Sequence, residues 1–150
     1  MTTSPFSHDL TPLPDPAGDR DLAPRVHDVE RVDKPWGHEQ IFAVLEGRYV
    51  GKVLHVTAGA ALSLQKHLRK DETLALRQGR VTVDLGPDVA RLRTLTLEPG
   101  QQVHIPAGMV HRITAVLDSE LLEVSTAWPG WRTDIERLAD GYGRRGTTAP

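Results

Sequence analysis

From Glu39 onward, apolar and polar residues alternate over short stretches separated by Gly, Pro and Asp: EQIFAVL, YVGKVLHV, ALSLQKH, ETLALRQ, RVTVDL, RLRTLTL, QVHIP, VHRITAV and ELLEVST. A period of two sends successive side chains to opposite faces of a strand. In RVTVDL, for example, Val81, Val83 and Leu85 share one face, while Arg80, Thr82 and Asp84 share the other. Short strands at close spacing predict an all-β antiparallel sandwich or barrel. Near the C-terminus the signal changes. Thr133-Asp134 ahead of Ile135, Arg137 and Leu138, with Gly141 beyond, predicts a short capped helix. Residues 1–28 carry prolines at 5, 12, 14, 16 and 24 among Asp, Ser and Thr, which predicts a flexible arm. The folded domain is expected over 29–144, with 145–150 as a frayed tail.

Candidate chemistry lies between Gly59 and Gly79 and between Gly100 and His111. Gln65 and His67 are two apart and share a strand face. Glu72 follows after room for a loop, and His111 returns from a distant segment behind the turn signal Ile105-Pro106-Ala107-Gly108. Two imidazoles, a carboxylate and an amide oxygen form a mixed nitrogen and oxygen set. Such a set holds a divalent transition ion and leaves positions free for substrate. Any one of these histidines alone would more often be an ordinary packed residue; the joint spacing is what points to a metal.

That spacing resembles the cupin superfamily. Gly59, Gln65, His67, Glu72 and Gly79 fit the first cupin motif, with Gln65 where a histidine usually stands. Gly100, Pro106, Gly108 and His111 fit the second, and Ala115 departs from its closing Asn. Lys34-Pro35-Trp36-Gly37, Leu62-Ser63-Leu64-Gln65, His111-Arg112, and Asp134-Ile135 through Arg137 to Tyr142-Gly143-Arg144 further resemble the type II mannose-6-phosphate isomerase branch, over about residues 30–144.

The resemblance implies a small antiparallel jelly-roll barrel and one divalent ion (Zn, Mn, Fe, Co or Ni) held by Gln65, His67, Glu72 and His111. It implies a sugar-phosphate isomerase or epimerase whose catalytic set includes Lys70, Glu123 and Arg112. Many bacterial members carry this domain behind a sugar-1-phosphate guanylyltransferase, and only the isomerase part is expected here. An aldose–ketose isomerisation moves a proton between C1 and C2, so it needs a base; His55, His104, Lys70 and Glu123 are the candidates. Lys66, Arg69, Lys70 and Arg77 form a basic cluster near the ligand loop, with Lys66 expected to point away from Gln65 and His67. Arg112 and Arg144 match branch positions as phosphate contacts, although Arg112 follows a ligand on its strand and should face outward. Trp36 is expected as a buried indole beneath the mouth. Thr73-Leu74 and Ala127-Trp128-Pro129 depart from the branch and bear on the substrate. An iron-dependent dioxygenase and a non-catalytic carbohydrate-binding module are the alternatives.

Composition narrows the setting. With 150 residues and 39% hydrophobic content, one domain with its own core is expected. The net charge of -2 gives no broad reason for nucleic acid or an anionic membrane as partner. The absence of cysteine excludes a disulfide frame and a thiolate nucleophile, and fits a reducing cytoplasm. No basic start leads into an apolar run, and no stretch approaches the roughly 20 apolar residues of a membrane span. A homodimer paired through edge strands is expected, since pairing removes an exposed edge.

Overall fold

A computed structural model describes residues 26–148; most of the proposed N-terminal arm and the last two residues lie outside it. Eleven strands form: β1 (Glu30–Lys34), β2 (Gly37–Leu45), β3 (Tyr49–Val56), β4 (Leu64–Lys66), β5 (Glu72–Gln78), β6 (Val81–Gly86), β7 (Arg93–Leu97), β8 (Gln102–Ile105), β9 (Val110–Ala115), β10 (Ser119–Thr126) and β11 (Glu136–Ala139). They build two sheets, a six-stranded one in the order β1-β2-β3-β10-β5-β8 and a five-stranded one in the order β11-β4-β9-β6-β7. Each ladder is antiparallel. The result is the expected jelly-roll architecture, as two facing sheets rather than one closed ladder.

The core lies between them. Leu54 and Val56 of β3, Leu74 and Leu76 of β5, and Leu121 of β10 meet Val81 and Val83 of β6 and Ile113 and Ala115 of β9. Alternation along each strand is what sends these residues inward; Val81 and Val83 are fully buried while Thr82 and Asp84 look outward. Trp36 closes one end of this cluster, buried as expected. It sits in the two-residue β1–β2 connection, just before Gly37, which has φ +146° and where any Cβ would collide with the His55 carbonyl.

The expected C-terminal helix is replaced by a single 3-10 turn, Trp131–Thr133, and then by strand β11. The reason is tertiary. Strand β4 is three residues long and needs a ladder on both sides: β9 pairs with it through Gln65 and His111, and β11 covers the other side through Glu136–Lys66 and Arg137–Gln65. Asp134 does cap, but the N–H groups it accepts belong to Leu68, Arg69 and Lys70.

Candidate metal centre

Gln65 on β4, His67 just beyond it and His111 on β9 come from one sheet, and Glu72 at the start of β5 comes from the other. They meet at one end of the core. His67, Glu72 and His111 are each at most 4% exposed and offer ligand atoms within 4.8 Å of one another. His111 Nε2 stands 2.9 Å from Glu72 Oε1, and His67 Nε2 stands 3.5 Å from Glu72 Oε2. Donors sharing one ion at about 2.0–2.1 Å lie roughly 3 Å apart, so this spacing suits a common metal.

The hydrogen bonds behind the rings agree. His67 Nδ1 donates to the Asp134 carbonyl at 2.6 Å, and His111 Nδ1 donates to the Met109 carbonyl at 3.0 Å. Each ring therefore turns its Nε2 toward Glu72, the atom that would bind a metal. His111 Nε2 is buried without a hydrogen-bond partner. A nitrogen and a carboxylate oxygen facing at 2.9 Å need a positive centre between them, which a shared metal ion would supply. The residues present thus fit a divalent ion.

Gln65 sits beside the three, its amide nitrogen 3.5 Å from His67 Nε2 and its oxygen accepting from Ser63 Oγ at 2.6 Å. A hydroxyl can donate or accept. Ser63 therefore satisfies either amide orientation, and the turned one points the oxygen at the ligands. The loop is tied down by Gly108, at φ +82°, whose N–H donates to the His67 carbonyl at 2.7 Å.

Charge is organised in a row. Lys34 on β1 lies 3.5 Å from Glu39 on β2, and Glu39 lies 3.3 Å from Lys52 on β3. Lys52 is 4.0 Å from Glu123 on β10. Lys70 then bridges Glu123 at 3.1 Å and Glu72 at 2.8 Å. Lysine and glutamate alternate across the sheet and end at the metal ligand. Burial alone would neutralise Lys70, but Glu123 and Glu72 outweigh it and hold its pKa above the ordinary lysine value. Burial likewise opposes charge on Glu72 and Glu123; Lys70 outweighs it in both, holding Glu72 well below the carboxylate range and Glu123 below it, the latter with help from Lys52. Lys70, Glu72 and Glu123 therefore hold one another in their charged forms.

The cleft in front of the ligands is lined by Lys34, Trp36, Lys52, Gln65, His67, Lys70, Glu123, Arg132, Arg137 and Arg144, among others. The structure thus brings Lys70, Glu123 and Arg144 to the ligands. Arg112 stands on the opposite side of β9 from His111, outside the cleft and 3.1 Å from Asp84. Lys66 also turns away, to Glu136 at 3.2 Å. His55 sits elsewhere, near Glu120 and stacked on His38, and His104 is exposed by Asp71.

A model of the mannose-6-phosphate isomerase C-terminal domain matches residues 21–140. The chain belongs to this mannose-6-phosphate isomerase family. Among curated relatives, it is 34% identical over 116 residues to the xanthan biosynthesis protein XanB of Xanthomonas campestris, covering 76% of the chain and 24% of XanB. It is 33% identical over 115 residues to the alginate biosynthesis protein AlgA of Pseudomonas aeruginosa, covering 75% and 23%. The chain therefore spans about a quarter of these relatives. Among solved structures, oxalate decarboxylase from Bacillus subtilis superposes with TM-score 0.66 at 18% identity, over 74% of this chain and 30% of that one. KdgF from Halomonas gives 0.54 at 24%, over 67% and 87%. These likenesses establish the cupin fold.

Against the family motif, the residues that sequence reasoning missed are Lys34, Glu39, Lys52 and the inward role of Arg137. Lys34 opens the Lys34-Pro35-Trp36-Gly37 stretch, which was a signal. Lys52 and Glu39 carried none beyond alternation, which places both on the same sheet face as Leu54 and Ile41.

Proposed function

We propose that this domain is a metal-dependent sugar-phosphate isomerase acting on mannose 6-phosphate or a related hexose phosphate. The observation that carries the reading is the buried His67–Glu72–His111 cluster with the Lys70–Glu123 ion pair beside it, at the back of a cation-lined cleft. The names of XanB and AlgA, and family membership, support a role in sugar metabolism.

A divalent ion held by His67, Glu72 and His111, with Gln65 as fourth group, would supply Lewis-acid stabilisation of the enediolate oxygens. The chain's own residues supply the rest. Glu123, ionised by the charges of Lys70 and Lys52, takes the proton from C2 and returns it to C1. Lys70, held protonated between two carboxylates, keeps Glu123 in its basic form and presents positive charge to the developing enediolate. The pair titrates as a unit. Trp36, Leu54 and Leu62 wall the cleft and limit water there.

Cations in the cleft favour this reading over the dioxygenase, whose apolar substrate would leave them without partners. The same proposal includes a homodimer formed along the sheet edges and, given the lack of cysteine, a cytoplasmic setting. Metal-loaded protein in deuterated water should exchange the C2 proton of mannose 6-phosphate, and chelation should stop it. Oxygen consumption with another substrate, and no exchange with any hexose or pentose phosphate, would replace this reading with the dioxygenase.

A further inference from the structure

Proton transfer leaves part of the cleft unused. Arg137 on β11 is 5% exposed, yet its Nε is buried without a hydrogen-bond partner. Its Nη1 donates to the carbonyl oxygen and the hydroxyl of Thr147, both at 3.0 Å. Among the described residues no carboxylate forms an ion pair with it. Asp140 is occupied by Arg144, whose Nη2 lies 2.9 Å from Asp140 Oδ1 and whose Nε donates to Oδ2 at 3.2 Å. A buried guanidinium donor without a partner is unfavourable, so such a group marks a place where a ligand completes the set.

The neighbours share the problem. Lys34 and Arg144 line the same cleft as Arg137. Burial, then the adjacent Lys52 and Arg137, hold Lys34 below the ordinary lysine value against the pull of Glu39. Burial and the adjacent Arg144 likewise lower Arg137. Cations gathered against mutual repulsion, one of them a guanidinium with an open donor, match an anion with several oxygens. Arg137 is also the cross-strand partner of Gln65, so this point lies one strand spacing, about 4.8 Å, from the ligand strand.

We infer that Arg137, Lys34 and Arg144 form a phosphoryl-binding subsite, which anchors the substrate by its phosphate and leaves its carbonyl end directed toward His67 and Glu72. The identity of the anion rests on the sugar-phosphate reading; the cation geometry does not. Arg137 supplies the unpartnered Nε–H, Lys34 a point charge that shifts from Glu39 toward the ligand, and Arg144 further positive charge at the cleft wall while its Nε and Nη2 stay on Asp140.

The test is calorimetric titration of the full, metal-free chain with inorganic phosphate, so that no ion competes for the anion. Arg137→Lys and Lys34→Met should each weaken phosphate binding by about tenfold or more. Metal retention, read by elemental analysis on separate samples, should be unchanged. In turnover of the metal-loaded protein, both variants should raise KM for the hexose phosphate with kcat within about threefold. Unchanged phosphate affinity in both variants overturns the subsite, and Lys34→Met decides if Arg137→Lys fails to fold. Weakened phosphate binding without exchange on any hexose phosphate keeps the subsite and sinks the isomerase reading. Exchange with unchanged KM in both variants keeps the isomerase reading and sinks the subsite.

Discussion

Asp134 holds His67 and the loop behind it at once. Its backbone carbonyl accepts His67 Nδ1–H at 2.6 Å, and its carboxylate accepts the N–H groups of Leu68, Arg69 and Lys70 at 2.8, 3.0 and 2.9 Å. One residue thus fixes the orientation of a metal ligand and the path of the chain toward Glu72. Asp134→Ala keeps the carbonyl that accepts from His67 but should release the 68–70 loop, lowering stability by about 1.5–3 kcal/mol and weakening metal binding through the loosened path to Glu72. Metal titration and urea unfolding of the two proteins would measure both effects. Unchanged values would remove Asp134 from this role.

The same carboxylate sets a pH dependence. Burial opposes its charge, but the three backbone N–H groups outweigh burial and hold its pKa below the ordinary aspartate value. A group depressed in the folded state stabilises above its unfolded pKa, near 3.9, and that contribution is lost as pH falls through the lower folded value. The stability gap between the native protein and Asp134→Asn should therefore be full at pH 6 and shrink below about pH 4. A gap that stays constant to pH 2 would contradict the assignment.

Removing the ammonium from the centre of the charge row is expected to be severe. Lys70→Met leaves Glu72 and Glu123 buried side by side, which should cost about 3–5 kcal/mol. Lys70→Met combined with Glu123→Gln should recover part of that stability but none of the activity. A double-mutant cycle by chemical unfolding gives the coupling.

Metal retention should follow the geometry. His67→Ala or Glu72→Ala should abolish it while leaving the apolar core intact, because each removes a buried donor. Gln65→Ala should weaken it less, since water replaces an amide oxygen. Elemental analysis of purified protein ranks the three; equal loss for Gln65→Ala would make the amide a full ligand.

Sedimentation at tens of micromolar should show a dimer. Sheet edges β1, β8, β7 and β11 have no partner strand on one side among the described residues. A monomer at that concentration would contradict pairing through these edges.

Much of this was legible in the sequence. Alternation located β3 and β5 to the residue, because Tyr49–Val56 and Glu72–Gln78 are flanked by turns and carry Val50, Leu54 and Val56, and Leu74 and Leu76, on one buried face. The cluster of His67, Glu72 and His111 was legible because metal ligation imposes spacing that survives without knowledge of the fold. Strand β11 was not. Thr133-Asp134 carries a helix-start signature, and the acceptor was read correctly, but its donors come from residues 68–70, sixty-odd positions upstream. Local pattern has no access to that partner. Arg137 was hidden for the same reason: nothing in Glu136–Ala139 reveals that the residue opposite Gln65 points into a cleft.

The alternating row from Lys34 to Glu72 has an evolutionary consequence. Each interior member touches two opposite charges, so a single neutral replacement takes one partner from each buried neighbour and leaves the row with an unbalanced charge. Drift along this row should therefore proceed by compensated exchanges, a lysine and its adjacent glutamate changing together. Aligned homologues should show covariation between strands β1, β2, β3 and β10 at these inward positions, and little independent change at any one of them.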